Sequence, residues 1–215
     1  VVHRAAVVDR RAVRVSGIGP GAGSTLALIL VLSLAGLFVS PALIERCLFR
    51  PYWFLRRREY STLVLSGFVH ADLAHLLFNS ITFWFFAIPL ERLIGTPLFL
   101  VLYYLGLLLS SLGTWTKHRG EPEYATLGAS GAISAVLFAS IVYRPEQSLF
   151  ILPFPFPIPA PLFAVGYLAY TWWSAKQAKG RINHDAHFAG ALTGLAFVAI
   201  VHPQAYSRAL SLLGS

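Results

Sequence analysis

The sequence predicts an all-α membrane protein of six spanning helices, and three observations carry that prediction. Of 215 residues, 56% are hydrophobic and only 12% charged, against about 25% charged in soluble domains. Mean hydropathy is +0.65, which leaves too little polar surface to cover a water-facing globule. The apolar residues also gather into runs near the roughly 20 that a helix needs to cross a bilayer. Cys47 is the only cysteine, so no intrachain disulfide can form. A net charge of +8 raises nucleic acid as a partner, yet the arginines flank the apolar runs. Arg4, Arg10, Arg11 and Arg14 precede the first, and Arg46, Arg50 and Arg56 to Arg58 follow it. Basic residues so placed meet lipid headgroups. The expected partner is a lipid bilayer, with no nucleic acid.

Residues 1–20 scatter charge among Ala and Val without a long apolar run, and read as a basic N-terminal tail. The apolar stretch behind them is too long for a cleaved signal. Six spans then fill residues 21–203: about Ser24–Ile44 with Pro41 near its exit, Leu73–Leu90, Pro97–Trp115, Ala129–Tyr143, Ala160–Ala175 and Ala186–His202. "PFPFPIPAP" at 153–161 cannot be helical with proline at every second position and reads as a stiff connection into the fifth span. Residues 204–215 form a C-terminal tail. Trp84, Trp115, Trp172 and Trp173 suit an interfacial aromatic belt. Flanking charge alone leans towards an outside N-terminus, with seven basic residues on its side and ten on the other.

Ionisable groups inside a span are costly and need a reason. The notable polar residues are His75 and Asn79 in the second span, Ser130 and Ser134 in the fourth, and His187 in the sixth. Even-numbered spans run in one direction, and His75, Ser130 and His187 each lie within the first few residues of theirs. Topology therefore brings all three to one membrane face. The fourth span holds about 15 residues, roughly 22 Å of helix, against a hydrocarbon core of roughly 30 Å. Its Ser130 end stops below the lipid surface, where the first N–H groups need water or protein partners. Gly131, Ala135 and Ala139 form a small-residue stripe on the fourth span. His187, Gly190 or Ala191, and Gly194 share a face of the sixth. Such faces let backbones approach closely in lipid and would bring Ser130 and His187 into hydrogen-bonding range.

A serine hydroxyl becomes nucleophilic when a base takes its proton, and histidine suits that task. Attack on an amide creates an oxyanion, for which the Ser130 N–H, the Asn79 amide and the His75 ring are candidate donors. Asp185, two residues before His187, projects from another face, so the expectation is a Ser–His dyad. Other readings stand beside this one. Gly, Ala and Ser pack helices throughout membrane proteins, and a lone Asn or His is often an interhelical hydrogen-bond partner. His184, Asp185 and His187 have spacing compatible with metal ligation, although no H-E-x-x-H motif exists. His70 and His118 read as loop or interface residues.

Four segments together resemble the rhomboid intramembrane serine proteases, over about residues 60–200. "HADLAHLLFN" (70–79) looks like the family's second-helix signature, "ERLIG" (91–95) its Glu-containing turn, "GASG" (128–131) its nucleophile motif and "AHFAG" (186–190) its base motif. The resemblance implies a six-transmembrane-helix rhomboid-like bundle, with Ser130 as nucleophile, His187 as base, and His75 and Asn79 stabilising the oxyanion. It implies serine endopeptidase activity on single-pass transmembrane protein substrates, no cofactor and no metal. It places the N-terminus in the cytoplasm against the charge tally, and makes the fifth helix mobile, with a lid at about Gln177–His184. The alternative is a catalytically inactive rhomboid-like protein that binds transmembrane helices. The family's first-loop Trp-Arg pair is out of pattern here, with Trp53 and Arg56 to Arg58 only nearby. Six spans with no extra helix suggest a bacterial cell membrane.

Overall fold

The computed structural model describes residues 17–151, 154–177 and 182–211. The basic tail falls outside these but for its last residues, as does the middle of the expected lid. Among these, ten α-helices and one hairpin follow in order: α1 (Pro20–Phe38), α2 (Pro41–Cys47), α3 (Pro51–Arg56), α4 (Thr62–Leu65, running into a 3-10 turn at Ser66–Phe68), α5 (Leu73–Ile94), α6 (Thr96–His118), α7 (Ser130–Tyr143), β1 (Ser148–Ile151), β2 (Phe154–Pro159), α8 (Ala160–Gln177), α9 (His184–Val201) and α10 (Gln204–Ser211). Four of them, α1, α5, α6 and α9, are long and apolar enough to cross a membrane. The 14-residue α7 is apolar but shorter, and α8 is not among the four.

The first span differs from the sequence expectation at both ends. Pro20 opens α1 four residues earlier, at a position where the missing proline N–H costs nothing. The helix stops at Phe38 because Pro41 disfavours helical geometry in the residue before it; Ser40 is extended, at φ −145°. Pro41 then starts a separate helix, α2. The N-terminus of α1 is capped from a distance: Glu91 Oε1 and Oε2 each accept a 2.8 Å hydrogen bond, from the Gly21 and Ala22 N–H groups. Thr96 Oγ1 donates to the same carboxylate at 2.6 Å. The "ERLIG" turn thus joins α1, α5 and α6.

The proline run is a strand, where a plain connection was expected. β2 pairs antiparallel with β1, Leu149 opposite Ile158 and Ile151 opposite Phe154. Proline at alternate positions keeps the missing N–H groups on one edge, which a two-stranded ribbon tolerates. The expected C-terminal tail is helical over α10. It docks through Tyr206, whose hydroxyl donates to the Leu195 carbonyl at 2.7 Å.

Every residue of α7 from Gly131 to Val142 is buried, with α5, α6, α8 and α9 packed around it. Lipid tails are as apolar as leucine, so close van der Waals packing must hold such helices together. Small residues provide it. A Cβ on Gly190 would run into the Gly131 carbonyl oxygen, and one on Gly194 into that of Ala135. On the other flank, a Cβ on Gly106 of α6 would lie 3.2 Å from the Ala132 Cα. The α7–α9 contact forms at the stripe the sequence indicated; the α6 stripe of Gly106, Ser110 and Gly113 is an addition.

Candidate active site

Ser130 is the first residue of α7, half-buried, with Ala129 at the cap position. The loop before it is hung from the α1–α5 connection. Phe49 and Thr126 exchange two backbone hydrogen bonds of 2.9 Å, and the Gly128 N–H donates to the Ser66 carbonyl at 2.8 Å. Gly128 has φ +119°, which glycine alone adopts without strain. A Cβ there would also sit 2.6 Å from His75 Cε1, so the imidazole of His75 lies directly on the turn that delivers Ser130.

His75 is held in turn by Asp72, which caps α5 and accepts the His75 backbone N–H at 2.8 Å. Asn79 lies one turn further along α5 and is buried. Its Nδ2 donates to His70 Nε2 at 2.8 Å, and the Ala129 N–H points at the same nitrogen at 3.4 Å. His70 Nδ1 is 3.0 Å from Ser33 Oγ, which lies 3.2 Å from the Phe68 carbonyl. Only one proton arrangement satisfies all four contacts: Nε2 accepts, Nδ1–H donates to Ser33, and Ser33 donates to Phe68. His70 is therefore a neutral imidazole. It is fully buried, and burial holds its pKa at about 3, with His75 pushing the same way and Asp72 opposing. The sequence reads His70 as a loop or interface residue, and the structure places it in the loop before α5, at the centre of this network. The signal was its place at the head of the same segment as His75 and Asn79, but its partner Ser33 lies 37 residues away.

His187 sits in the first turn of α9, half-buried, three residues before the glycine that touches Gly131. The neighbouring Ala186 carbonyl also faces that glycine: a Cβ on Gly131 would lie 3.4 Å from its oxygen. The opening turns of α7 and α9 thus face each other. Among the described residues no hydrogen bond joins Ser130 and His187, and the Ser130 N–H has no acceptor. An unliganded Ser–His pair is often loose in this way. The His187 ring lies near-parallel to Tyr167 of α8 (centroids 6.4 Å, 17°) and edge-on to His184 (6.1 Å).

Asp185 turns away, towards α6. Lys117 Nζ reaches its carboxylate at 2.9 and 3.1 Å, and His118 Nε2 at 3.0 Å. Lys117 also donates to the Ala175 carbonyl of α8. Asn183 caps α9, accepting the Ala186 N–H at 3.0 Å and donating to Thr114 at 2.9 Å and Thr126 at 3.2 Å. One amide thereby links α6, the Ser130 loop and the His187 helix, a role the sequence reading had not assigned. The first loop is anchored as well: Trp53 Nε1 donates to the Pro122 carbonyl at 3.2 Å beneath the Arg57 guanidinium, 3.7 Å from the indole.

A sequence model of the rhomboid domain matches residues 57–204, which include His70, His75, Asn79, Ser130, Asn183 and His187. The chain belongs to the rhomboid family. It is 29% identical over 145 residues to RHOMBOID-like protein 12, mitochondrial, of Arabidopsis thaliana, covering 60% of this chain and 43% of that protein. To Rhomboid protein 1, mitochondrial, of Saccharomyces cerevisiae it is 28% identical over 155 residues, 67% and 44% of the two chains. A Bacillus subtilis rhomboid protein is 40% identical over a shorter stretch of 76 residues, 35% of this chain and 37% of that protein. This rhomboid spans less than half the length of these relatives. With mitochondrial proteins prominent among them, the expectation of a bacterial cell membrane is not supported. Family and apolar helices together point to an integral membrane protein.

Proposed function

We propose that this rhomboid is an intramembrane serine endopeptidase in which Ser130 is the nucleophile and His187 the general base. The observation that carries the reading is the glycine-to-carbonyl contact of α9 on α7, which sets the opening turns of the two helices face to face. His75, lying on the turn before Ser130, supports it from the other side.

His187 takes the Ser130 hydroxyl proton as Oγ attacks the scissile carbonyl carbon. The resulting oxyanion accepts hydrogen bonds from the Ser130 N–H, aided by the positive end of α7, and from His75 or the second N–H of Asn79. His187 then passes its proton to the leaving amine, which departs as the Oγ–acyl bond remains. Water, deprotonated by the same imidazole, releases the acid and restores Ser130. No cofactor enters this scheme. The substrates we assign are single-pass membrane proteins, reached in the bilayer by a bundle in which α1, α5, α6, α7, α8 and α9 all serve as spans.

A fluorophosphonate probe tests the reading in detergent. Wild type is expected to label, Ser130→Ala to lose the signal entirely, and His187→Ala to drop strongly while both variants keep the wild-type melting temperature. A folded preparation that does not label supports the inactive, helix-binding alternative.

A further inference from the structure

Tyr167 lies midway along α8, a helix that touches the bundle lightly: of its residues only Ala160, Thr171 and Ser174 are buried. The Tyr167 hydroxyl is 3.3 Å from Ser134 Oγ, one helical turn beyond Ser130 on α7. Its ring lies at a small interplanar angle to that of His187, and the ring of His184 is near-perpendicular to the same imidazole. The Phe163 and Phe138 rings each lie 5.5 Å from the phenol, in its apolar surroundings rather than at the imidazole. One side chain from α8 thus meets the helix of the proposed nucleophile through oxygen and lies near-parallel to the ring of the proposed base.

We propose that Tyr167 is a positioning residue for His187, through which the seating of α8 sets the orientation of the base. The inference rests on the Ser130–His187 reading. A base must hold one ring nitrogen towards the serine throughout proton transfer, and a parallel aromatic face restricts rotation of the imidazole. The same ring adds a weak attraction once the proton has moved, because the imidazolium then lies at the outer edge of cation–π range, 6.4 Å between centroids. The stabilisation grows as charge develops, so it acts on turnover more than on substrate binding. The hydroxyl contact with Ser134 fixes the height of the ring along α7.

The test compares Tyr167→Leu, Tyr167→Phe and Phe163→Leu in the full chain. Phe163 lies one turn away on α8 and packs against Tyr167, so its truncation removes apolar contact without stripping the ring from His187. Probe-labelling rate, melting temperature, and kcat and KM on a model transmembrane substrate are measured for each. The expected result is a fall of about tenfold in labelling rate and kcat for Tyr167→Leu, with KM little changed. Tyr167→Phe should recover most of the rate, and Phe163→Leu should lower the melting temperature but not the rate. Wild-type rates in Tyr167→Leu, or equal losses in Tyr167→Leu and Phe163→Leu, would overturn the proposal while leaving the dyad standing. Absence of Ser130-dependent labelling in wild type overturns both. Should Tyr167→Leu fail to fold, Tyr167→Phe decides: a folded variant that keeps the ring yet labels about tenfold more slowly than wild type overturns the proposal.

Discussion

His70 shows how one residue's protonation state can be built into a buried site. Its two nitrogens have opposite assignments, acceptor towards Asn79 and Ala129 and donor towards Ser33. Protonation would turn Nε2 into a donor facing two donors. The folded-state pKa of about 3 lies below the unfolded value of about 6.5, so the unfolded chain binds the proton first. Stability from this group is therefore complete above about pH 6.5 and drains away as pH falls towards 3. Melting temperature should rise between pH 4.5 and 6.5 and level off above. The slope should be shallower in His70→Gln, which keeps a hydrogen-bonding side chain without the titration. Equal slopes in the two proteins would show that the imidazole is not buried neutral. Ser130, His75, Asn79 and His187 stand out in the sequence because they are polar residues in apolar runs, and the structure places them near the starts of α5, α7 and α9. His70 and Asn183 do not stand out, since their importance lies in partners 37 to 69 residues distant.

Helices were legible as hydropathy runs, and their ends were not. Pro41 reads as a residue near the exit of the first span and is the first residue of a new helix; Glu91 caps a helix whose sequence holds no sign of it. The α7–α9 seam was readable from its glycines, whereas the matching stripe on α6 was hidden among leucines. Glycine substitutions test the packing with opposite signs. In Gly190→Ala the new methyl meets a backbone carbonyl, so the helices must part, at a cost of about 1–3 kcal/mol. Gly166 in α8 has nothing within 4 Å of its Cβ position, and Gly166→Ala should stabilise by up to about 1 kcal/mol. Thermal melts in one detergent compare the two. A stable Gly190→Ala protein would mean that α7 and α9 are not in backbone contact.

At the scale of the molecule, the starts of α5, α7 and α9 gather at one end with the arginine-bearing first loop, and Arg92 and Arg144 lie at the other. That division was legible from chain direction alone. Whether six helices or four traverse the bilayer is open to a direct test, because α7 and α8 fall short in length or apolarity. In a Cys47→Ala background, Arg58→Cys and Gly120→Cys should react with an impermeant maleimide from one side of sealed vesicles, and Glu146→Cys only from the other. Labelling of all three from one side would mean that α7 does not cross. The membrane identity, by contrast, could not be read from span number, since it is an address rather than a property of the fold.

Glu91 has a bearing on how the chain is made. Its carboxylate completes the opening turn of α1 from about seventy residues downstream. A ribosome-bound chain therefore exposes that turn unfinished until α5 has left the tunnel. Assembly cannot proceed helix by helix in order of synthesis; α1 must wait in the lipid for its clasp to arrive.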